Sequence, residues 1–164
     1  MSTADAPEAT AFRIEGPPPH LLVVRAPYYR EVVDALTAGA ERILRGSGAT
    51  FETLDVAGAF ELAQVIRIVL RGPARHDGFI ALGCVVRGET DHYEHICREA
   101  MGGLMRVALQ FGLALGTGLL TVDRLDQAIS RARPDGPNKG AEAARAALLQ
   151  IAAARRFGAE AGRG

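Results

Sequence analysis

HLLVVRAPYYREVVDALTAGAERILRGSG, residues 20–48, holds two hydrophobic periods in succession. His20–Ala26 is a short, branched, apolar run, the pattern of a strand buried on both faces. Val32, Val33, Leu36, Ala40, Ile43 and Leu44 then recur at helical spacing until glycine ends the run. A strand that leads at once into an amphipathic helix is half of a βαβ unit, and the pattern repeats down the chain. TFETLDV (50–56) reads as a strand and AFELAQVIRIVLRG as a helix closed by Gly72-Pro73. DGFIALGCVV (77–86) is almost continuously apolar, with no alternation. DHYEHICREAMGGLMRVALQFG follows as a helix that Asp91 is placed to cap. LALGTGLLTV (113–122) is the last strand. A helix DRLDQAISRA with Asp123 as its cap and an alanine-rich helix NKGAEAARAALLQIAAARRFG complete the series.

Strand alternating with helix four times predicts a parallel sheet with right-handed crossovers and helices on both faces, a three-layer α/β/α sandwich. Residues 1–19 are polar and end in GPPP, which reads as a mobile arm stopped by a stiff polyproline segment. A single domain is expected over 20–158, with a short tail at 159–164. In such sheets ligands bind beyond the carboxyl ends of the strands, so RAPYY, AGAFE, VVRGETDH and TVDR are the segments to read for chemistry.

The 164 residues balance 19 basic against 19 acidic side chains, which argues against a nucleic-acid or acidic-membrane partner. Lys139 is the only lysine. Cys84 and Cys97 make neither a disulfide framework nor a zinc pair by spacing. MSTADAPEATAF lacks the basic head and apolar stretch of a secretory signal, and FGLALGTGLLTV is too short and glycine-broken to cross a bilayer. The expectation is a cytoplasmic, soluble chain.

RGETDHYEHICREAMGGL, residues 87–104, carries the densest chemistry. His92 and His95 share a helix face with Glu99, but a catalytic metal would need a further ligand. The familiar helix-borne zinc pattern, with histidines four apart and a glutamate after the first, is not present. Gly88-Glu89-Thr90 precedes a helix N-terminus, where unpaired backbone N–H groups and the helix dipole favour an anion. The Thr90 hydroxyl can donate as well, whereas the Glu89 carboxylate must point away from a phosphate. His92, in the first turn, is the side chain best suited to move protons near neutral pH. A plain helix start with a surface histidine fits the same letters.

AGAFELA, LGCVVRGETDHYEHI and QAISRARPDGPNKGAEAA, in this order and spacing, resemble the lumazine synthase family of riboflavin biosynthesis over about residues 20–152. The resemblance implies a flavodoxin-like sheet of order 2-1-3-4. It also implies condensation of 5-amino-6-(ribitylamino)uracil with 3,4-dihydroxy-2-butanone 4-phosphate. The products are 6,7-dimethyl-8-ribityllumazine, phosphate and water, and neither metal nor organic cofactor takes part. Carried over by position, Tyr28 stacks on the pyrimidine, where the family usually has phenylalanine. Gly58, Ala59, Phe60 and Glu61 contact the ribityl chain, and Cys84, Val85 and Val86 bind the pyrimidine through backbone groups. Glu89 and Thr90 match the phosphate-binding pair, His92 the proton-transfer histidine, Arg131 the phosphate-binding arginine and Lys139 the lysine of the NKG segment. His95, Cys97 and Glu99 become bystanders.

Arg131 and Lys139 would come from a neighbouring subunit in a homopentamer, so the family's site exists only in the oligomer. A larger assembly, decamer or icosahedral 60-mer, stays open: FRIEG (12–16) could pair as a strand with a neighbour, and RPDGPNKG is as short as in shell-formers. Ala57 and Ala63 stand where the family commonly has proline, which loosens the ribityl segment. Pro27 stiffens the approach to Tyr28. Thr117 stands where many members place an aromatic that closes the pocket. These departures leave a non-catalytic flavin- or lumazine-binding homologue, or a structural shell, as alternatives on the same scaffold.

Overall fold

The computed structural model describes residues 10–158. Four strands, β1 (His20–Ala26), β2 (Thr50–Asp55), β3 (Gly78–Val86) and β4 (Leu115–Val122), form one parallel sheet in the order β2-β1-β3-β4. The helices between and after them are α1 (Arg30–Gly46), α2 (Ala59–Arg71), α3 (His92–Phe111), α4 (Leu125–Arg131) and α5 (Lys139–Arg156). This is the predicted α/β sandwich with the predicted strand order.

Side chains alternate across a strand, so one sequence feeds two cores. Leu21, Val23, Ile80 and Leu82 face Leu36, Ile43 and Leu44 of α1 and Ala144, Ala147 and Leu148 of α5. Leu22, Val24, Phe79 and Ala81 face Leu62 and Ile66 of α2 and Ala100 and Leu104 of α3. Each fully buried leucine or isoleucine stabilises the fold by about 1.5–3 kcal/mol relative to exposure. α5 lies so close to the edge strand β4 that a Cβ on Gly116 would run into the Ala143 carbonyl, which is why small residues line both elements.

Both predicted aspartate caps differ from expectation. Asp91 precedes α3 in a helical conformation, and its side chain makes no capping bond. Asp123 does not cap α4 either, because its carboxylate is taken by Arg87, Oδ1 to Nε 2.7 Å. Gln127 serves that end, its side-chain oxygen accepting from the backbone N–H of Asp123 at 3.0 Å and Arg124 at 3.2 Å.

A cap unread in the sequence does hold α5. Asn138 is buried, and its Oδ1 accepts from the N–H groups of Gly140 and Ala141 at 2.9 and 3.0 Å. Its Nδ2 donates to the Ala132 carbonyl at 2.8 Å and the Ala35 carbonyl at 3.1 Å. Gly39 of α1 leaves the space: a Cβ there would overlap the Asn138 amide. One side chain thus ties α1, the end of α4 and the start of α5, and it fixes where Arg131 and Lys139 stand.

Residues 10–19 carry no helix or strand, yet they lie against the body. Ile14 is buried, Phe12 N–H donates to Ser47 Oγ at 3.2 Å, and Arg155 Nη1 donates to the Glu15 and Pro17 carbonyls. The rest of the expected arm, 1–9, and the expected tail, 159–164, lie outside the described residues.

Candidate active site

The carboxyl ends of β1, β2 and β3 open onto a cleft of about 400 Å³ whose lining includes Tyr28, Gly58, Glu61, Cys84, Thr90 and His92. Each wall follows from local sequence. β1 runs into Pro27, which opens a single 3₁₀ turn over Pro27–Tyr29 and leaves Tyr28 78% exposed. Tyr28 meets Tyr29 edge-on, with centroids 5.3 Å apart, so its outer face is free for a flat ring. Gly58 stands in extended backbone before α2, and Glu61 lies in the first turn. A Cβ on Gly58 would sit 3.2 Å from Glu61 Oε2, so glycine leaves that carboxylate room to face the cleft.

The third wall is bare backbone. β1 pairs with β3 only as far as Ala26 with Gly83, whereas β4 accompanies β3 to Val86 with Val122. Alternate peptide groups of Cys84, Val85 and Val86 on the β1 side therefore pass beyond the ladder and can bond a ligand. The Cys84 thiol is buried, and burial pushes its pKa up to about 11, which leaves it a packing group and not a nucleophile.

The fourth wall is the loop 87–91 and the start of α3. Arg87 stiffens it: Nε donates to Asp123 at 2.7 Å, Nη1 to Glu94 at 2.9 Å, and the guanidinium lies 4.3 Å over the Tyr93 ring. Both carboxylates push the Arg87 pKa up. Gly88 has open space where a Cβ would be, Thr90 lines the cleft, and His92, which opens α3, lines it as well. His95 instead pairs with Arg98, Nδ1 to Nη2 2.9 Å, and Glu99 with Arg98 at 3.2 Å, so neither joins His92.

Most of the sequence-predicted site residues meet here: Tyr28, Gly58, Ala59, Glu61, Cys84, Val85, Val86, Thr90 and His92. Phe60 and Glu89 are not in the lining. Gly88 and Ala57, read as part of the anion-binding turn and the ribityl segment, line it too, and Tyr29, Tyr93 and Ile96 line it without having been singled out for it; Tyr29 and Tyr93 flank residues that were, which was the available signal.

The predicted cations lie elsewhere. Arg131 and Lys139, with Thr117, line a separate cleft of about 250 Å³ along β4. Arg131 Nη1 donates to the Gln127 carbonyl at 2.9 Å, and among the described residues it has no carboxylate partner. Lys139 Nζ lies 2.6 Å from Glu142 Oε2. Among the described residues, no arginine or lysine lines the His92 cleft. One chain thus presents two separate clefts, one with the imidazole and one with the cations.

A family model for 6,7-dimethyl-8-ribityllumazine synthase matches residues 18–155. The chain belongs to that family. Among curated relatives, the 6,7-dimethyl-8-ribityllumazine synthase 1 of Rhizobium meliloti is 44% identical over 147 residues, covering 87% of this chain and 96% of its own length. The 6,7-dimethyl-8-ribityllumazine synthase of Bartonella tribocorum is 42% identical over 140 residues, 85% and 93% of the two chains. That of Agrobacterium fabrum is 41% identical over 144 residues, 85% and 97%. Family membership makes the chain an enzyme, a transferase of riboflavin biosynthesis. No helix among the described residues is long and apolar enough to cross a membrane.

Proposed function

We propose that this chain condenses 5-amino-6-(ribitylamino)uracil with 3,4-dihydroxy-2-butanone 4-phosphate to 6,7-dimethyl-8-ribityllumazine, at sites completed between neighbouring copies. The observation that carries the shared site is the division just described: among the described residues the cleft with His92 has no lining cation, and in the other cleft Arg131 has no carboxylate partner. A phosphorylated substrate needs both.

In this reading the pyrimidine stacks on Tyr28 and is held by the free peptide groups of Cys84–Val86. Glu61 accepts from ribityl hydroxyls beside Gly58, Ala59 and Phe60. The phosphate sits at the start of α3, against Thr90 and backbone N–H groups, with Glu89 turned outward. Arg131 and Lys139 of a neighbour close over it, and Thr117 forms part of that neighbour's wall. The pyrimidine amine attacks the ketone, the carbinolamine loses water to give an imine, and phosphate leaves as the proton on the adjacent carbon is removed. The resulting enol tautomerises to a ketone at the carbon that bore the hydroxyl, and the second amine attacks that ketone and closes the ring with loss of the second water. His92 moves the protons. The protein's part is positioning and proton transfer, which the two half-sites supply.

Exposed apolar side chains on the outer faces of α2 and α3, namely Ile68, Met101, Met105 and Leu109, support the assembly. Such a stripe is what a homopentamer would cover. A cytoplasmic location accords with this reading. Mixing the protein with both substrates tests the reaction: a green-fluorescent product and one phosphate per turnover are expected. Failure to release phosphate in the presence of both substrates contradicts it.

A further inference from the structure

The opposite end of the sheet carries a second cluster. His20 opens β1, Glu52 is near the start of β2, and His76 stands just before β3. The order β2-β1-β3 puts them at the amino ends of three adjacent strands, and they include two of the chain's four histidines. Glu52 Oε1 lies 2.7 Å from His76 Nε2 and 3.7 Å from His20 Nε2. The three donor atoms all lie within 4.8 Å of one another, and the two imidazoles stack with centroids 5.2 Å apart.

A hydrogen bond between His76 and Glu52 accounts for the first distance. It does not account for the second imidazole, whose Nε2 faces the same carboxylate at a separation too long for a hydrogen bond. His20 is also oriented from behind. Its Nδ1 is 2.9 Å from Thr50 Oγ1, and donation to that hydroxyl leaves the Nε2 lone pair toward Glu52, the tautomer a metal ligand needs. The His20 backbone N–H donates to Asp77 Oδ2 at 2.7 Å, which ties the start of β1 to the segment bearing His76. The His76 ring is only 3% exposed and packs against Phe79, so its position is set by the core.

The geometry points to a divalent transition-metal site with His20 Nε2, Glu52 Oε1 and His76 Nε2 as protein ligands. Water from the open side completes the coordination. Two imidazoles and one carboxylate suit zinc, cobalt, nickel or copper, whereas magnesium and calcium prefer oxygen alone. Bonds of about 2.0–2.2 Å require Glu52 and His76 to move apart and Glu52 and His20 to move closer, each by tenths of an ångström, which the exposed Glu52 side chain can absorb. The ion clamps the amino ends of three strands, the edge strand β2 included. It lies at the far end of the sheet from the His92 cleft, so it holds the fold and takes no part in the condensation.

The test uses the full-length, tag-free protein stripped of metal. Co²⁺ should bind with one ion per chain and give ligand-field bands that Zn²⁺ abolishes and Mg²⁺ leaves intact; Zn²⁺ should raise Tm. His20→Asn and Glu52→Gln alter partly exposed side chains, so those variants should fold, and each should weaken Co²⁺ binding more than tenfold. Thr50→Val should weaken it about tenfold through the lost support of His20. Lumazine formation should stay unchanged in all three. Binding undiminished in His20→Asn and Glu52→Gln puts the ion elsewhere and overturns the assignment, as does no binding at millimolar Co²⁺ or equal displacement by Mg²⁺. The outcome is independent of the catalytic reading, which is assayed separately.

Discussion

His92 stands at the first position of α3, exposed and beside Thr90, so its removal should cost chemistry and leave the fold intact. His92→Ala should lower kcat by about 10²–10⁴-fold, the usual contribution of a positioned acid–base group, with the melting temperature unchanged. Wild-type turnover in that variant removes the assignment. Arg131→Ala should instead raise KM for the phosphorylated substrate by tenfold or more, since a charge-assisted hydrogen bond is worth about 1.5–3 kcal/mol. An unaltered KM for that substrate contradicts its role. Cys84 gives a pH prediction. Its folded pKa, raised by burial from 9.0 to about 11, means the unfolded chain loses the thiol proton first. This residue's contribution to stability therefore falls as pH rises from about 9 to about 11. At pH 8 in the native protein, iodoacetamide should leave Cys84 unmodified, as read by peptide mass. The segments after the strands marked where to look, Thr90 and His92 were legible from their place at a helix start, and Tyr28 and Glu61 were reached only through resemblance to the family. Tyr29 and Tyr93 were not legible, because nothing in a single chain says which of two neighbouring aromatics turns inward. His20, Glu52 and His76 share no local spacing, and only the strand register brings them together.

Asn138 shows how elements are fastened. It joins three helices through one buried amide, so Asn138→Ala should remove the α5 cap and leave the carbonyls of Ala35 and Ala132 without their donor. A loss of about 2–4 kcal/mol, measured by urea denaturation, is expected from the cap and the buried unpaired groups together. A loss under about 0.5 kcal/mol, the range of ordinary surface substitutions, contradicts the role. Strands and helices were readable because short, almost continuously apolar runs alternate with 3.6-residue periods from His20 to Phe157. Helix starts were less so. Asp91 and Asp123 have the right type and position for capping, but Asp91 sits in helical backbone and Asp123 is drawn away by Arg87. A side chain with two possible partners is settled by tertiary charge, which the local sequence does not contain. Asn138, in turn, looked like one letter of a turn, and its importance rests on Gly39, some hundred residues earlier.

At the scale of the whole molecule, the imidazole and the cations occupy different clefts of one chain. The proposed ring of heterologous contacts, each copy offering its β4 edge to the next copy's cleft, would bring them together. The particle in solution should then weigh about five times the 17.4 kDa chain, or a multiple of that, by mass photometry. A monomer at working concentration contradicts a shared site. The arrangement of copies was expected only through resemblance to a family, because a single sequence carries no direct mark of which surface its twin will cover. The most direct measurement is complementation: His92→Ala and Arg131→Ala proteins are dissociated, mixed in equal amounts, reassembled and assayed with the phosphorylated substrate far below its KM. Random mixing in a heterologous ring pairs an intact His92 with an intact neighbouring Arg131 at about one site in four, so activity should climb toward about one quarter of wild type. If the mixture stays at the mean of the two separate variants, the two residues do not meet across a subunit boundary and the account fails.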